Sequence, residues 1–320
     1  MPINYSIIIP HKNIPQLLQR CLDSIPARDD LEVIVVDDNS DVSLVDFSRF
    51  PGKNRNDTVY FFDKKGRGAG GTRNIGLQHA RGKWILFADS DDYFNYCLNE
   101  VLDDYVNDES DLVFFANSSV NSDTYVNSAR SDAHVQFIVD YFDGDETSLQ
   151  LLKYVHAAPH GKLIKRNLIE EHGISFPEIQ MNEDMKFSYL TSYYAKSVKV
   201  DRRAIYCLTY RSTSISYTLT EQKWLDHFRA YAERELFLKA HNVVLPNQYF
   251  RPYLNDLIYI ISSTTSETYE KCLDIFAEYG ISRKEIDIEV HKKIKKRDFL
   301  AKVKAKISLG IQKCKFFCEK

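Results

Sequence analysis

Two short apolar runs, Ser6-Ile7-Ile8-Ile9-Pro10 and Glu32-Val33-Ile34-Val35-Val36-Asp37-Asp38, constrain the fold more than any other feature of the chain. Both are rich in β-branched residues, both end on a residue that stops a strand, and neither alternates apolar with polar. A strand without alternation keeps both faces from water. That points to a mostly parallel sheet with helices layered on each side. Between the two runs, Leu17, Leu18, Cys21, Leu22 and Ile25 recur at helical spacing. Thr58 to Phe62, Trp84 to Ala88 and Leu112 to Ala116 read as three more strands, and Gly71 to Arg81 as a helix opened by a glycine-rich turn. The first 117 residues are therefore expected to form a doubly wound α/β layer. Ligands of such sheets bind beyond the carboxyl ends of the strands. Here that rim carries Pro10 to Asn13, Asp37 to Ser40 and Asp89 to Asp92.

The rest of the chain is less regular. Ser118 to Ser148 is polar and reads as a loop with one edge strand; Leu163 to His172 and Met185 to Tyr194 read as helices. Thr220 to His241, Phe250 to Ser262 and Glu267 to Tyr279 read as amphipathic helices, so parts at 1–117, 118–219 and 220–320 are expected. The net charge of −3 gives no general attraction to nucleic acid, but it averages a local +8 from Arg283 to Lys320 against −11 before it. Six scattered cysteines without paired CxxC motifs argue against a disulfide framework or a zinc site and fit a reducing cytosol. No window reaches the roughly 18 apolar residues that span a bilayer, and Met1 to Lys12 lacks a signal-peptide core. A soluble or peripheral protein is expected.

Four clusters carry chemistry. Asp89-Ser90-Asp91-Asp92 sets three carboxylates at the mouth of an apolar strand, where they repel one another and call for a counter-charge. A hard divalent cation bound through oxygen would supply it and clamp a diphosphate; the plain alternative is an acidic turn capping a helix. Asp37-Asp38-Asn39-Ser40 ends its strand in the same way and reads either as a nucleoside contact or as a turn. Gly66 to Asn74 is a glycine-rich turn in which Arg67 or Arg73 would add charge near a phosphate. Asn182-Glu183-Asp184 is a helix cap on spacing alone, or the seat of a general base.

Taken jointly and in this order, the pieces resemble the family 2 glycosyltransferases, which have the GT-A fold and invert the anomeric centre. They are Ser6 to Pro10 with Asn13, Val35 to Ser40, Arg73-Asn74 with Gly76, and Phe87 to Asp92. Lys162 to Arg166 and Glu183-Asp184 complete the pattern, which covers roughly residues 5 to 216. The resemblance implies a nucleotide-sugar donor held by Pro10, His11, Asn13, Asp38, Arg73, Asp89 and Asp92. It also implies Mn²⁺ or Mg²⁺ on Asp91 and Asp89, and Asp184 as catalytic base supported by Glu183. The acceptor it implies is a hydroxyl of a glycan or lipid-linked glycan of the cell surface. Two positions depart from the pattern: His11-Lys12 stands where a small or aromatic pair is usual, and Gly161 where Asn is common before Lys162.

Two rivals remain at this level. A nucleotidyltransferase making activated sugars would carry a basic glycine-rich loop after its first strand, where this chain has Pro10-His11-Lys12-Asn13-Ile14-Pro15. A non-catalytic glycan-binding module would have no need of Asp89, Asp91 and Asp184 together. The basic tail at 292–320 intersperses Ile294, Phe299, Leu300, Val303, Ile307 and Phe316 with lysines. Such a helix would either lie on an anionic membrane at the inner face of the cell membrane or pack on the protein with a solvated lysine face.

Overall fold

The computed structural model of the protein describes residues 2–211, 220–263 and 265–299. Eight strands, β1 (Tyr5–His11), β2 (Leu31–Asp38), β3 (Thr58–Asp63), β4 (Trp84–Phe87), β5 (Tyr93–Phe94), β6 (Leu112–Asn121), β7 (Lys162–Lys165) and β8 (Val198–Tyr210), form one sheet in the order β3-β2-β1-β4-β7-β6-β8-β5. The first four are mutually parallel, with Tyr5 opposite Leu31 and Trp84. Beyond β4 the sense changes: β7 runs antiparallel to β4 and β6, β8 runs parallel to β6, and β5 is antiparallel to β8.

Helices α1 (Pro15–Asp23), α2 (Gly68–His79) and α3 (Leu98–Tyr105) follow early strands, as expected of doubly wound layers. All eight residues of β2 are buried because both of its faces are covered. Ile7, Ile9, Val33, Val35 and Leu86 pack with Leu18, Cys21 and Leu22 of α1 and Leu98, Val101 and Leu102 of α3. On the opposite face α2 lies against β1 so closely that a Cβ on Gly76 would stand 2.4 Å from Ile8 Cγ2. An alanine there would force helix and strand apart.

The second part of the sheet departs from the sequence reading. Lys162–Lys165 is a strand, not the start of a helix, and only Arg166–Glu171 (α6) is helical. Leu163 and Ile164 form too short an apolar pair for periodicity to decide, and the vacancy between β4 and β6 decides it instead. The polar stretch after Ser118 is not a loop: β6 runs on to Asn121, and α4 (Asp132–Phe142) and α5 (Ser148–Tyr154) follow. Helix α7 (Glu183–Tyr194) begins after Asn182, which holds φ +61°.

By compactness the chain divides into Met1–Asp226 and His227–Lys320. Helix α8 (Glu221–Ala240) runs across that boundary, and α9 (Asn247–Phe250), α10 (Leu254–Ser263), α11 (Ser266–Glu278) and a helix over 283–299 follow. Within the second unit Phe228, Tyr253, Leu257, Cys272 and Phe276 are buried around Glu235, whose carboxylate is paired with Arg251 at 2.6 Å and Lys239 at 2.7 Å. Ile286 and Val290 of the last helix are also buried, whereas Phe299 is exposed. Of the basic tail expected over 292–320, residues 300–320 lie outside the described residues. No described helix is long and apolar enough to cross a membrane.

Candidate active site

The carboxyl ends of β1, β2 and β4 form the rim, as the strand reading predicts. At β2 the two acids part company. Asp37 turns inward, where it accepts from the Ser40 amide (2.9 Å), the Ser40 hydroxyl (2.6 Å) and His11 Nδ1 (2.8 Å). These donors hold its carboxyl below the usual range despite its burial. His11 is itself buried, and its Nε2 accepts from the Ile14 amide at 3.2 Å. Both ring nitrogens are thus spent inside the fold, at a position where the resemblance implies a nucleotide contact. Asp38 points the other way, to the Gly68 amide at the start of α2 (3.2 Å) and to Lys12 Nζ (3.0 Å). Asn13, at φ +60°, ties the first rim loop to the second through the Ser40 hydroxyl (2.8 Å) and the Asp41 amide (2.7 Å), beside half-buried Pro10.

After β4 the acidic tetrad is fastened from below by β8. The Tyr206 hydroxyl accepts from the Asp89 amide (2.8 Å) and donates to Asp92 Oδ2 (3.0 Å), while the Thr209 amide donates to Asp92 Oδ1 (2.6 Å). Asp92 is 2% exposed, and burial beside Asp91 and Asp89 pushes its carboxyl up to about 8. It therefore anchors the loop from inside, where the sequence reading set it beside the donor sugar. Asp89 and Asp91 remain partly open. Asp91 Oδ2 is paired with Arg211 Nη2 at 2.9 Å, and its carbonyl accepts from the Thr209 hydroxyl (2.7 Å) and from Arg20.

Arg73 joins the rim to helix α7. It is buried on α2, with Nη2 2.7 Å from Asp89 Oδ1 and Nη1 2.9 Å from Glu183 Oε1, and its guanidinium stands 5.3 Å from the Phe176 ring centroid. The neighbouring glycines explain how α2 and α7 come this close. A Cβ on Gly70 would meet Pro177 O at 2.4 Å and Glu183 Cβ at 3.2 Å. The glycine-rich turn thus serves helix packing.

Asp184 stands next to this pair and forms no hydrogen bond among the described residues. It is half-buried, and desolvation together with Glu183 raises its carboxyl to about 7, against the pull of Arg73 and Lys162. A carboxylate that is short of water, free of donors and poised near neutrality is suited to taking a proton. Asp89, Arg73, Glu183 and Asp184, named from separate stretches of sequence, thus converge. Tyr206, Thr209 and Arg211 were missed, because Val198–Tyr210 mixes charged and apolar residues without a clean period and did not read as a strand.

Among the described residues no group of three His, Cys, Asp or Glu side chains is arranged to hold a metal ion. The open donors are few, Asp91 and Asp89, each with a side chain already facing an arginine. That suits a cation shared with substrate phosphates, which needs one or two protein carboxylates rather than a closed cage.

Known proteins resemble the chain over much of its length. The family model described as Glycosyl transferase family 2 matches residues 6–173, more than half of the chain. EpsH of Bacillus subtilis, designated a glycosyltransferase on inference, is 27% identical over 274 residues, covering 81% of this chain and 75% of its own. A poly(ribitol-phosphate) beta-glucosyltransferase of Bacillus spizizenii is 31% identical over 205 residues, 61% of this chain but only 30% of that longer protein. The structure of TarS residues 1–349 of S. aureus in complex with UDP-GlcNAc superposes with a TM-score of 0.64 at 20% identity, covering 87% of this chain and 80% of that one. At that identity the likeness speaks for the fold.

Proposed function

The chain belongs to glycosyl transferase family 2, and on that premise we propose that it transfers a sugar from a UDP-sugar to a hydroxyl of a cell-surface glycan, with inversion. The observation that carries the reading is the donor-free Asp184 beside the Arg73-linked acids of the rim. The acceptor oxygen attacks the anomeric carbon as the bond from that carbon to the diphosphate breaks. Asp184 takes the acceptor's proton on the opposite side of the sugar from the leaving group. No protein nucleophile is needed. The poly(ribitol-phosphate) acceptor in the name of the Bacillus spizizenii relative and the UDP-GlcNAc held by TarS support a UDP-sugar donor and a polyol or glycan acceptor. Product formation from a panel of labelled UDP-sugars tests the reading; hydrolysis or transfer of none of them, with a glycan acceptor present, would overturn it.

Asp91 with Asp89 would hold Mn²⁺ or Mg²⁺ together with the donor diphosphate. When bound, the cation would neutralise charge building on the leaving group. Asp91→Ala is expected to abolish metal-stimulated transfer with the melting temperature within a few degrees of wild type. The rise in melting temperature that UDP gives with Mn²⁺ should also disappear. Full activity of Asp91→Ala in a chelated and repleted metal titration would remove the assignment.

The basic tail at 292–320 is proposed to hold the enzyme on anionic lipid, near a lipid-linked acceptor. The full-length protein should sediment with anionic liposomes at low salt and be released at high salt. Loss of that binding on deletion of 300–320, with activity on a soluble acceptor kept, is the expected result. Equal sedimentation of both forms would leave the tail as ordinary packing.

A further inference from the structure

Lys162 is 1% exposed on β7, yet it forms no ion pair among the described residues. Its Nζ donates two long hydrogen bonds, to the His156 carbonyl at 3.4 Å and to Ser188 Oγ at 3.3 Å, and lies 5.2 Å from the Phe114 ring centroid. Ser188 sits one helical turn beyond Asp184 on α7, and its hydroxyl donates to the Ala157 carbonyl, so an oxygen lone pair is left for the lysine. An ammonium held only by neutral groups is costly to bury and would not persist without a carboxylate acting on it through space. Arg73 cannot fill that need in reverse, because both of its terminal nitrogens are committed to Asp89 and Glu183.

We propose that Lys162 is a positioning residue for the transfer reaction: anchored by Ser188, one turn from Asp184 on α7, and by His156, it is the counter-charge that lowers the proton affinity of Asp184 without a hydrogen bond to it. Contact would occupy the carboxylate oxygen that must receive the acceptor's proton. Separation in a low-dielectric interior leaves the attraction largely intact and the oxygen free. The charged groups that act on Asp184 are Glu183 on its own helix, Asp89 after β4, Arg73 on α2 and Lys162 on β7. The titratable groups that Lys162 acts on, besides Asp184, are His134, His156 and His160, whose rings burial pushes toward the neutral form. Burial draws the Lys162 ammonium down to about 7, and Asp184 acts in the opposite sense. The inference rests on Asp184 being the base.

The test is kcat as a function of pH for wild type, Lys162→Met and Lys162→Arg. Loss of the positive charge makes the Asp184 carboxylate harder to form, so the acidic limb of Lys162→Met should move up by about one pH unit, the low end for a nearby opposite charge. At pH 7 kcat should fall several-fold to ~10-fold, with the donor KM unchanged and the limb of Lys162→Arg back near the wild-type position. A Lys162→Met limb at the wild-type position, with kcat lowered equally at every pH, would overturn the proposal and leave Lys162 a packing residue. If Lys162→Met does not fold, lysine ¹⁵Nζ titration of wild type and Asp184→Asn decides instead. The Lys162 midpoint should be lower by about one unit in Asp184→Asn, and an unchanged midpoint would overturn the proposal. Full activity of Asp184→Asn would show that the base reading itself had failed.

Discussion

Asp184→Asn is expected to lower kcat by ~10²-fold or more while UDP affinity stays within about twofold, the pattern for loss of a general base. Asn keeps the shape of the side chain and removes the oxygen that, as the proposed base, would receive the proton. The donor does not depend on that oxygen, because the rim that would hold it is built from Asp38, Asp89 and Asp91 and is fastened by Tyr206, Thr209 and Arg211. Stability should move the other way. The carboxyl titrates at about 7 in the folded protein against 3.8 when unperturbed, so folding takes up a proton between those values. The stability this gives is complete below the lower value and lost as pH rises through the upper one. The amide carries no such pH dependence, so the variant should melt at or above the wild-type temperature at pH 8. Single-turnover rates, UDP titration calorimetry and melting curves read all three. Lost UDP binding would move Asp184 into the donor pocket.

Arg73→Met should damage the fold severely. It removes one buried cation and strands two carboxylates, Asp89 and Glu183, beside a third that is already hard to ionise. Breaking a buried pair from one side costs about 3–5 kcal/mol, and the partial exposure of Asp89 places this case near 3. For a unit of this size that is a fall of about 6–12 °C in melting temperature. Arg73→Met/Glu183→Gln should recover part of the loss, because one of the stranded charges is gone. A single variant that melts like wild type would show that solvent already screens the trio.

The parallel half of the sheet was legible because its strands carry their own evidence: Ile7 to Ile9 and Val33 to Val36 are buried on both faces and spell this out in every residue. The place of the rim acids was legible for a related reason, since they follow directly on strands whose carboxyl ends are plain in the sequence. Strands β7 and β8 were not. Leu163-Ile164 is a strand only because a gap between β4 and β6 needs one, and Val198–Tyr210 is half solvent-facing, so its Arg202 and Arg203 hide the pattern. Which way each acid faces was equally unreadable. Adjacent strand residues point to opposite sides, and that alone separates inward Asp37 from Asp38, which turns to the first amide of α2. The anchoring of Asp92 was unreadable for want of β8, whose Tyr206 and Thr209 hold it.

The clamp that β8 sets on the acidic tetrad has a consequence for how the chain matures as it is made. Asp92 meets Tyr206 across 114 positions and Asp91 meets Thr209 across 118. At cellular rates of synthesis the ribosome needs on the order of ten seconds to deliver that stretch. Through that interval β1 to β4 can already pair and α1 can already cover them, but the tetrad has nothing beneath it. A nascent chain of this length would present a formed sheet edge at β4 with an unfastened acidic loop. Productive donor capture thus belongs to the finished protein, and a premature stop before β8 yields a sheet without a working mouth.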